Sequence, residues 1–399
     1  MKAMIVGAGI GGLTADIAQR RAGIETTVFE RAGELREVGA GLLLAANVVR
    51  ALDELGLSEK VRRLGTPASA ARILSWRGET LTDVPADELE KRLGTPSAAV
   101  HRADLQGLLL RELGEENVRL GATCSGFEQD EEGVTALFVD GSEERGDALI
   151  GADGLNSTIR TSLFGGKKPR YAGYTAWRAV VEPSHELLPW GVGFESWGSG
   201  ARFGCAHIGG GRVYWFATRN APEGEKDGPV GSSSGPKATL MKLFGGWHQP
   251  VAELVAETEE CEIRRDDLYD REPLDRPWGE GRVTLLGDAA HPMTPNLGQG
   301  ACQAIEDAVV LAQCVREVGK DGVPSALRRY EDLRRERVAW IVRRSRALGR
   351  VGQLENPILC RLRDVALRAV PDRIQLRQFE RVMLYKERSA VRCLWRRSV

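Results

Sequence analysis

A short apolar run, Lys2-Ala3-Met4-Ile5-Val6, opens the chain and predicts a strand buried on both faces of a parallel sheet. The cluster Gly7-Ala8-Gly9-Ile10-Gly11-Gly12 interrupts it. From Leu13 to Arg21 apolar positions recur at helical spacing, Gly23 ends that helix, and Thr26-Thr27-Val28-Phe29-Glu30 predicts a second strand. The three elements make a βαβ unit of ordinary length. Two further apolar runs end in small residues: Asp147-Ala148-Leu149-Ile150-Gly151-Ala152-Asp153-Gly154, and Gly281 through Leu285 and Asp288 to Pro292. Both predict strands of the same sheet. A helix follows the second of them, Gln299 to Val318, with Ala301, Ala304, Ile305, Ala308, Val309, Ala312 and Val315 on one face.

Between those clusters the period changes. Trp177, Trp190, Phe194, Trp197, Phe203, Tyr214, Trp215 and Phe216 alternate with small and polar residues, the pattern of a half-buried antiparallel sheet. Residues 71–97, with Arg72-Ile73-Leu74-Ser75-Trp76, predict an excursion of short strands, and Ala221 to Lys237 a surface loop. From Pro324 onward the chain predicts Arg-rich helices. The expected architecture is α/β. A doubly wound lobe is assembled from residues 1–70, 98–170 and 276–345, an antiparallel β-sheet lobe from 71–97 and 171–275, and a C-terminal helical region from 346–399.

Composition narrows the partners. The 399 residues carry 55 Lys and Arg against 56 Asp and Glu, so no global field steers the protein to nucleic acid. Residues 326–399 nevertheless hold 20 basic and 8 acidic side chains, which leaves the rest of the chain acidic. Seven scattered cysteines without a C-x-x-C pair argue against disulfides or a zinc site and for a reducing compartment, the cytoplasm. Five histidines with no H-x-x-x-H pair add no metal site. No apolar run reaches the length of a membrane span.

Gly7-x-Gly9-x-x-Gly12 lies between a predicted strand and a predicted helix, the context in which this spacing binds a dinucleotide. The first glycine permits the turn, the second lets the backbone approach a pyrophosphate, and the third lets the helix pack on the strand. Glu30 ends the second strand, where a carboxylate accepts the ribose hydroxyls of an adenosine and repels a 2′-phosphate. The fingerprint leaves NAD and FAD both open, because each presents an ADP half.

Three stretches in order then carry a resemblance: the opening Gly-x-Gly-x-x-Gly; Gly151-Ala152-Asp153-Gly154 with Ser157 and Arg160; and Gly287-Asp288-Ala289-Ala290-His291-Pro292 with Pro295-x-x-Gly298-Gln299-Gly300. Together they resemble the class A flavoprotein monooxygenases, FAD-dependent aromatic hydroxylases whose relatives include epoxidases. The resemblance implies bound FAD, NADH or NADPH as a transient co-substrate, O2, and oxygen transfer from a flavin C4a-hydroperoxide to an electron-rich small molecule. It assigns the cofactor to Gly7, Gly9, Gly11, Gly12, Glu30, Arg31, Gly39, Arg102, Cys124, Asp153, Asp288, Pro295, Gly298, Gln299, Gly300 and Ala301. The stretch Val38-Gly39-Ala40-Gly41-Leu42 resembles the segment that passes beside the flavin ring, and Val100 to Leu105 the segment whose arginine contacts it. The sequence departs from the relatives at Asp16, on the first helix and expected to point outward, and at Cys124, expected near the adenine.

The expected activity is hydroxylation of a small aromatic or heteroaromatic compound. Its rivals are epoxidation or another oxygenation of an isoprenoid or polyketide, a non-catalytic flavin redox protein, and a colourless NAD dehydrogenase. Arg202, Tyr214 and His207 are candidates for the substrate pocket, each against a structural or solvent-exposed alternative, and no residue stands out as catalytic. Pro357 to Val370 predicts a basic amphipathic helix, expected by default to dock on the flavin lobe, with contact to an anionic membrane surface as the alternative. Membrane contact is not expected, and the chain is a monomer or homodimer.

Overall fold

A computed structural model describes residues 1–35, 40–67, 70–182 and 187–384. Strand Lys2–Val6 lies at the centre of a five-stranded parallel sheet in the order Val283–Leu285, Ala148–Gly151, Lys2–Val6, Glu25–Phe29, Val118–Arg119. The register sets Ile5 opposite Ile150 on one side and Val28 on the other, with Leu149 opposite Val283. The three remote apolar runs are therefore adjacent strands. Met4, Ile5, Val28, Leu149 and Leu285 are sealed from solvent, as expected of strands covered on both faces.

Helix Ile10–Arg21 packs beside helix Gly300–Val315. The latter departs from its one-faced prediction. It is buried on nearly every side, including the polar Gln303, Glu306 and Asp307, because other helices cover the face that would have met water.

The second lobe is built on a seven-stranded sheet in the order Arg264–Asp270, Arg170–Val181, Val213–Asn220, Ala201–His207, Gly193–Trp197, Ala70–Ser75, Thr80–Pro85. It is antiparallel except where Gly193–Trp197 meets Ala70–Ser75 in parallel, so the 71–97 excursion is its edge. Alternation sorts its two faces. Trp177, Phe203 and Trp215 pack on the outer side with Leu240, Phe244, Leu254 and Val255, a closed core of their own. The opposite face carries Arg178, Arg202, Tyr214 and Phe216 toward the first lobe. Trp177, Phe203 and Trp215 are thus core, not pocket.

Helix Val323–Gly352, thirty residues long, ties the lobes together. At ~1.5 Å per residue it spans ~45 Å. It runs without a break through residue 345, so the expected start of the C-terminal region falls inside it. Helices Pro357–Arg368 and Asp372–Met383 follow. Among the described residues no helix is long and apolar enough to cross a membrane, and no cluster of side chains is arranged to hold a metal ion.

Candidate functional site

The glycine loop shows which glycines are demanded by the protein and which by a ligand. Gly7 has φ +109°, and a Cβ added there would sit 2.5 Å from the Ala152 carbonyl oxygen. A Cβ at Gly12 would lie 1.9 Å from the Gly7 oxygen, and one at Gly11 would lie 2.9 Å from Leu286 Cδ2. Gly9 differs: a Cβ there would meet nothing within 4 Å. It borders open space at the start of helix Ile10–Arg21, whose N-terminus has no side-chain cap. Free N–H groups and the positive end of the helix dipole thus face that space, an arrangement suited to phosphate. Glu30 Oε2 accepts the Ala8 N–H at 2.8 Å and its Oε1 the Ala32 N–H at 3.0 Å, which holds the strand end against the loop. Arg31 is exposed beside it.

Asp153 follows strand Ala148–Gly151 and its backbone abuts Gly7. Its Oδ2 accepts the N–H groups of Thr158 and Ile159 at 2.7 and 3.3 Å, while Oδ1 is buried without a protein partner. Burial raises its pKa. Arg160 points to the third motif. Its Nη1 donates to the carbonyls of Ala289 and Ala290 at 2.9 and 2.8 Å, and burial lowers its pKa to about 10. Cys124 is buried near Asp153 with its thiol pKa raised by burial.

At the other end, Asp288 and Arg102 reach solvent although protein surrounds them, which is the signature of side chains lining a cleft. Burial raises the Asp288 carboxyl, partly offset by His291 and Arg102. Burial lowers Arg102, opposed by Asp288 and reinforced by Arg178. A single 3-10 turn, Pro295–Leu297, leads into Gly298, whose φ of +61° turns the chain into helix Gly300–Val315. A Cβ at Gly298 would meet Leu43 at 3.6 Å, and one at Gly300 would lie 4.0 Å from Asp288 Oδ1. That helix start also has no side-chain cap. Gln299 Oε1 accepts from Asn47 and Gln303 at 3.2 and 2.9 Å, while its buried Nε2 has no protein partner. Ala301, in the first turn, packs partly buried on the core. Gly39, like Val38, lies outside the described residues.

Two uncapped helix starts, an open position at Gly9, and two orphaned buried polar atoms border these segments. The residues fit an elongated, partly anionic cofactor.

The third motif is anchored from behind. His291 Nε2 lies 2.6 Å from Asp307 Oδ2, which also accepts the Gly287 N–H at 3.1 Å. Asp307 Oδ1 accepts from Arg334 Nε at 2.7 Å, and Arg334 and Arg337 bond Glu306. Burial opposes ionisation of both carboxyls, but His291 and Arg334 hold Asp307 low, and Arg334 and Arg337 hold Glu306 low.

Over the segment at Gly41 stands the inner face of the second sheet. Tyr214 packs on Gly41 so closely that a Cβ there would sit 2.4 Å from its Cδ1. Burial pushes the Tyr214 phenol up to about 12, with Arg178 pulling the other way. Arg178, two positions from Val180, which pairs with Tyr214, shares that face and is bonded to Asp266.

A family described as "FAD binding domain" matches residues 1–174 and 242–345. The chain is 43% identical to the aurachin C monooxygenase/isomerase of Stigmatella aurantiaca, over 94% of this chain and 96% of that one. It is 38% identical to the 3-amino-4-hydroxybenzoate 2-monooxygenase of Streptomyces cremeus, over 92% of each. The chain belongs to the class A flavoprotein monooxygenases. Its fold is also that of a Klebsiella pneumoniae enzyme crystallised with FAD and uric acid, with TM-score 0.89, 33% identity, and 96% of each chain covered. FAD is its cofactor.

Within this flavoprotein two expectations change, at Asp16 and Arg202, while His207 takes its structural alternative. Asp16 does not point outward: it is fully buried and paired with Arg20 at 2.8 Å, its pKa raised by burial. Arg20 in turn bonds Thr26 O at 2.7 Å, so the pair links helix to strand. Arg202 faces the first lobe but is only 2% exposed and fully engaged, by Gln353 Oε1 at 2.7 Å, Glu195 Oε1 at 2.8 Å and Asn296 Oδ1 at 2.8 Å. It is a strut between the sheet, the long helix and the Pro295–Leu297 turn. His207 Nε2 bonds the Leu188 carbonyl at 3.0 Å and its ring lies tilted against Trp190, a structural placement. Sequence reading missed Arg178 and the His291–Asp307–Arg334 network. Arg178 was accessible through two-residue alternation with the pocket face; the network was not, since Arg334 lies 27 residues from its partner.

Proposed function

We propose that this monooxygenase hydroxylates an electron-rich aromatic or heteroaromatic small molecule, drawing electrons from NADH or NADPH. The observation that carries the reading is the seating of Tyr214 on Gly41 with Arg178 beside it, a phenol and a guanidinium over the ring end of the cofactor cleft. Names of relatives point the same way: uric acid and 3-amino-4-hydroxybenzoate are both ring compounds rich in electron-donating groups.

Gly7, Gly9, Gly11 and Gly12 with Glu30 and Arg31 would hold the ADP half, with Cys124 and Asp153 nearby. Asp288 and Arg102 would hold the middle of the cofactor, and Pro295, Gly298, Gln299, Gly300 and Ala301 its ring end. FAD, once bound, supplies reduction of O2 and insertion of one of its atoms. The chain's own groups do the rest. The raised pKa of Tyr214 keeps its hydroxyl protonated, so it donates a hydrogen bond to a substrate oxygen or nitrogen. Arg178 favours an anionic or phenolate form. The sheet over the ring end would shield a reactive oxygen donor from bulk water. The free thiols among the described residues fit a cytoplasmic enzyme.

The test is a screen of electron-rich aromatics and heteroaromatics, including uric acid and 3-amino-4-hydroxybenzoate, against purified yellow protein. The expected result is faster NAD(P)H oxidation and a product heavier by one oxygen atom. Turnover confined to isolated alkenes, yielding epoxides, would replace this reading.

A further inference from the structure

Helix Pro357–Arg368 is mounted inside out. Its inward side carries Cys360 and Arg363, buried at 8% and 6% exposure. Arg363 Nη1 donates to the carbonyls of Gly198 and Gly352 at 3.2 and 3.4 Å, its Nε pairs with Asp364 at 2.9 Å, and its guanidinium lies 5.3 Å over the Trp197 ring. Those bonds fix the helix's rotation. Its outward side is the apolar one: Ile358, Leu362 and Val365 are 67, 60 and 63% exposed, in one stripe at helical spacing, with Leu359 at its edge. The expected docking of this stripe on the flavin lobe does not occur. A continuous apolar surface left in water marks an interaction site.

The surroundings are basic. Arg361 and Arg368 flank the stripe on the same helix. The next helix, Asp372–Met383, turns Arg373, Ile374, Arg377 and Arg381 outward. Arg368 Nη2 bonds Glu79 Oε2 at 2.6 Å, which brings the turn bearing Trp76 and Arg77 to the end of the stripe. Trp76 is 40% exposed, with the Arg77 guanidinium 4.8 Å over its ring. Apolar stripe, flanking arginines and a half-exposed tryptophan are the composition of a helix lying in a lipid interface.

We propose that this face docks in the plane of an anionic lipid bilayer, with Ile358, Leu362 and Val365 below the headgroups and the arginines on lipid phosphates. A second copy fits less well. A two-fold contact centred on the stripe would set Arg361, which borders it, against its own copy, a repulsive arrangement. A plane of negative headgroups suits Arg361 beside the stripe and Arg77 at its end. The proposal is independent of which ring compound is oxidised, and its readout needs no turnover.

The test is co-sedimentation of the full-length holoprotein with phosphatidylcholine vesicles, with and without about a third phosphatidylglycerol. The expected result is binding to the anionic vesicles at least about tenfold tighter than to the neutral ones, weakened by salt. The double variant L362E/V365E should lose about tenfold or more in binding while its flavin content and Tm stay unchanged, because both side chains already face solvent. Three results would overturn the proposal: no sedimentation with anionic vesicles at low salt, binding indifferent to L362E/V365E, or a wild-type dimer that the double variant converts to monomer.

Discussion

His291 and Asp307 are joined by a 2.6 Å contact sealed from solvent, and through it the segment that bears Asp288 is pinned to the helix that begins at Gly300. Asp307 also receives Arg334, so a single carboxylate organises motif, helix and strut. Two elements distant in sequence, both proposed to line the cofactor, are held in one geometry through buried side chains.

Replacing that carboxylate should be costly. In Asp307→Asn the buried Arg334 keeps Glu306 but loses a charged partner, and breaking a buried pair costs about 3–5 kcal/mol. The sign of the pH dependence follows from the depressed Asp307 pKa. An aspartate held below the ordinary 3.8 stabilises the fold above that value and ceases to as pH falls through its folded pKa. Urea denaturation should therefore show the wild type more stable at neutral pH, with the gap closing in acid. A gap that widens in acid contradicts the assignment.

Gly9 and Gly12 should separate binding from folding. The Gly9→Ala methyl meets no protein atom, so the variant keeps its apoprotein Tm yet binds FAD at least about tenfold more weakly, since the methyl occupies the phosphate approach. Gly12→Ala forces the helix off the strand and loses about 1–3 kcal/mol or more of stability. Thermal melts of both apoproteins and flavin fluorescence titration of Gly9→Ala check this. Equal Tm losses in the two variants would remove the distinction.

Tyr214 should act as a donor. With its phenol raised to about 12, the pH profile of kcat/KM should show no limb from it near the ordinary value of 10. Tyr214→Phe should raise KM by about 2- to 10-fold, the loss of one hydrogen bond of ~0.5–1.5 kcal/mol, with flavin content intact. Steady-state kinetics over pH test it. An alkaline limb present in wild type and absent in Tyr214→Phe would show ionisation instead.

Arg202 should behave as architecture. Arg202→Ala leaves Glu195, Asn296 and Gln353 without their shared donor and should cost about 3–5 kcal/mol of stability. Chemical denaturation measures that loss. A normal denaturation midpoint with substrate binding abolished would return Arg202 to the pocket.

The local code was strong where one short stretch could satisfy its own physics. Apolar runs ending in glycine made the strands of the parallel sheet legible, and Gly7-x-Gly9-x-x-Gly12 made the turn legible, because a positive φ excludes other residues at Gly7 and close approach excludes them at Gly12. Two-residue alternation announced the second sheet. Which of its faces met the first lobe was not written locally: Trp215 and Tyr214 are neighbours in the chain, yet one belongs to the outer core and the other packs on Gly41.

What the chain's order of residues determined was the set of elements and the dinucleotide turn, since both depend on backbone conformation and on periodic burial within a few residues. Tertiary structure alone decided the meaning of isolated polar side chains. Asp16 went inward to Arg20, Arg202 became a strut, Asp307 became an anchor, and the apolar side of Pro357–Arg368 stayed outside because Arg363 found carbonyl partners within. A charge is placed by its partners, and those partners lie too far along the chain to be read from its neighbours.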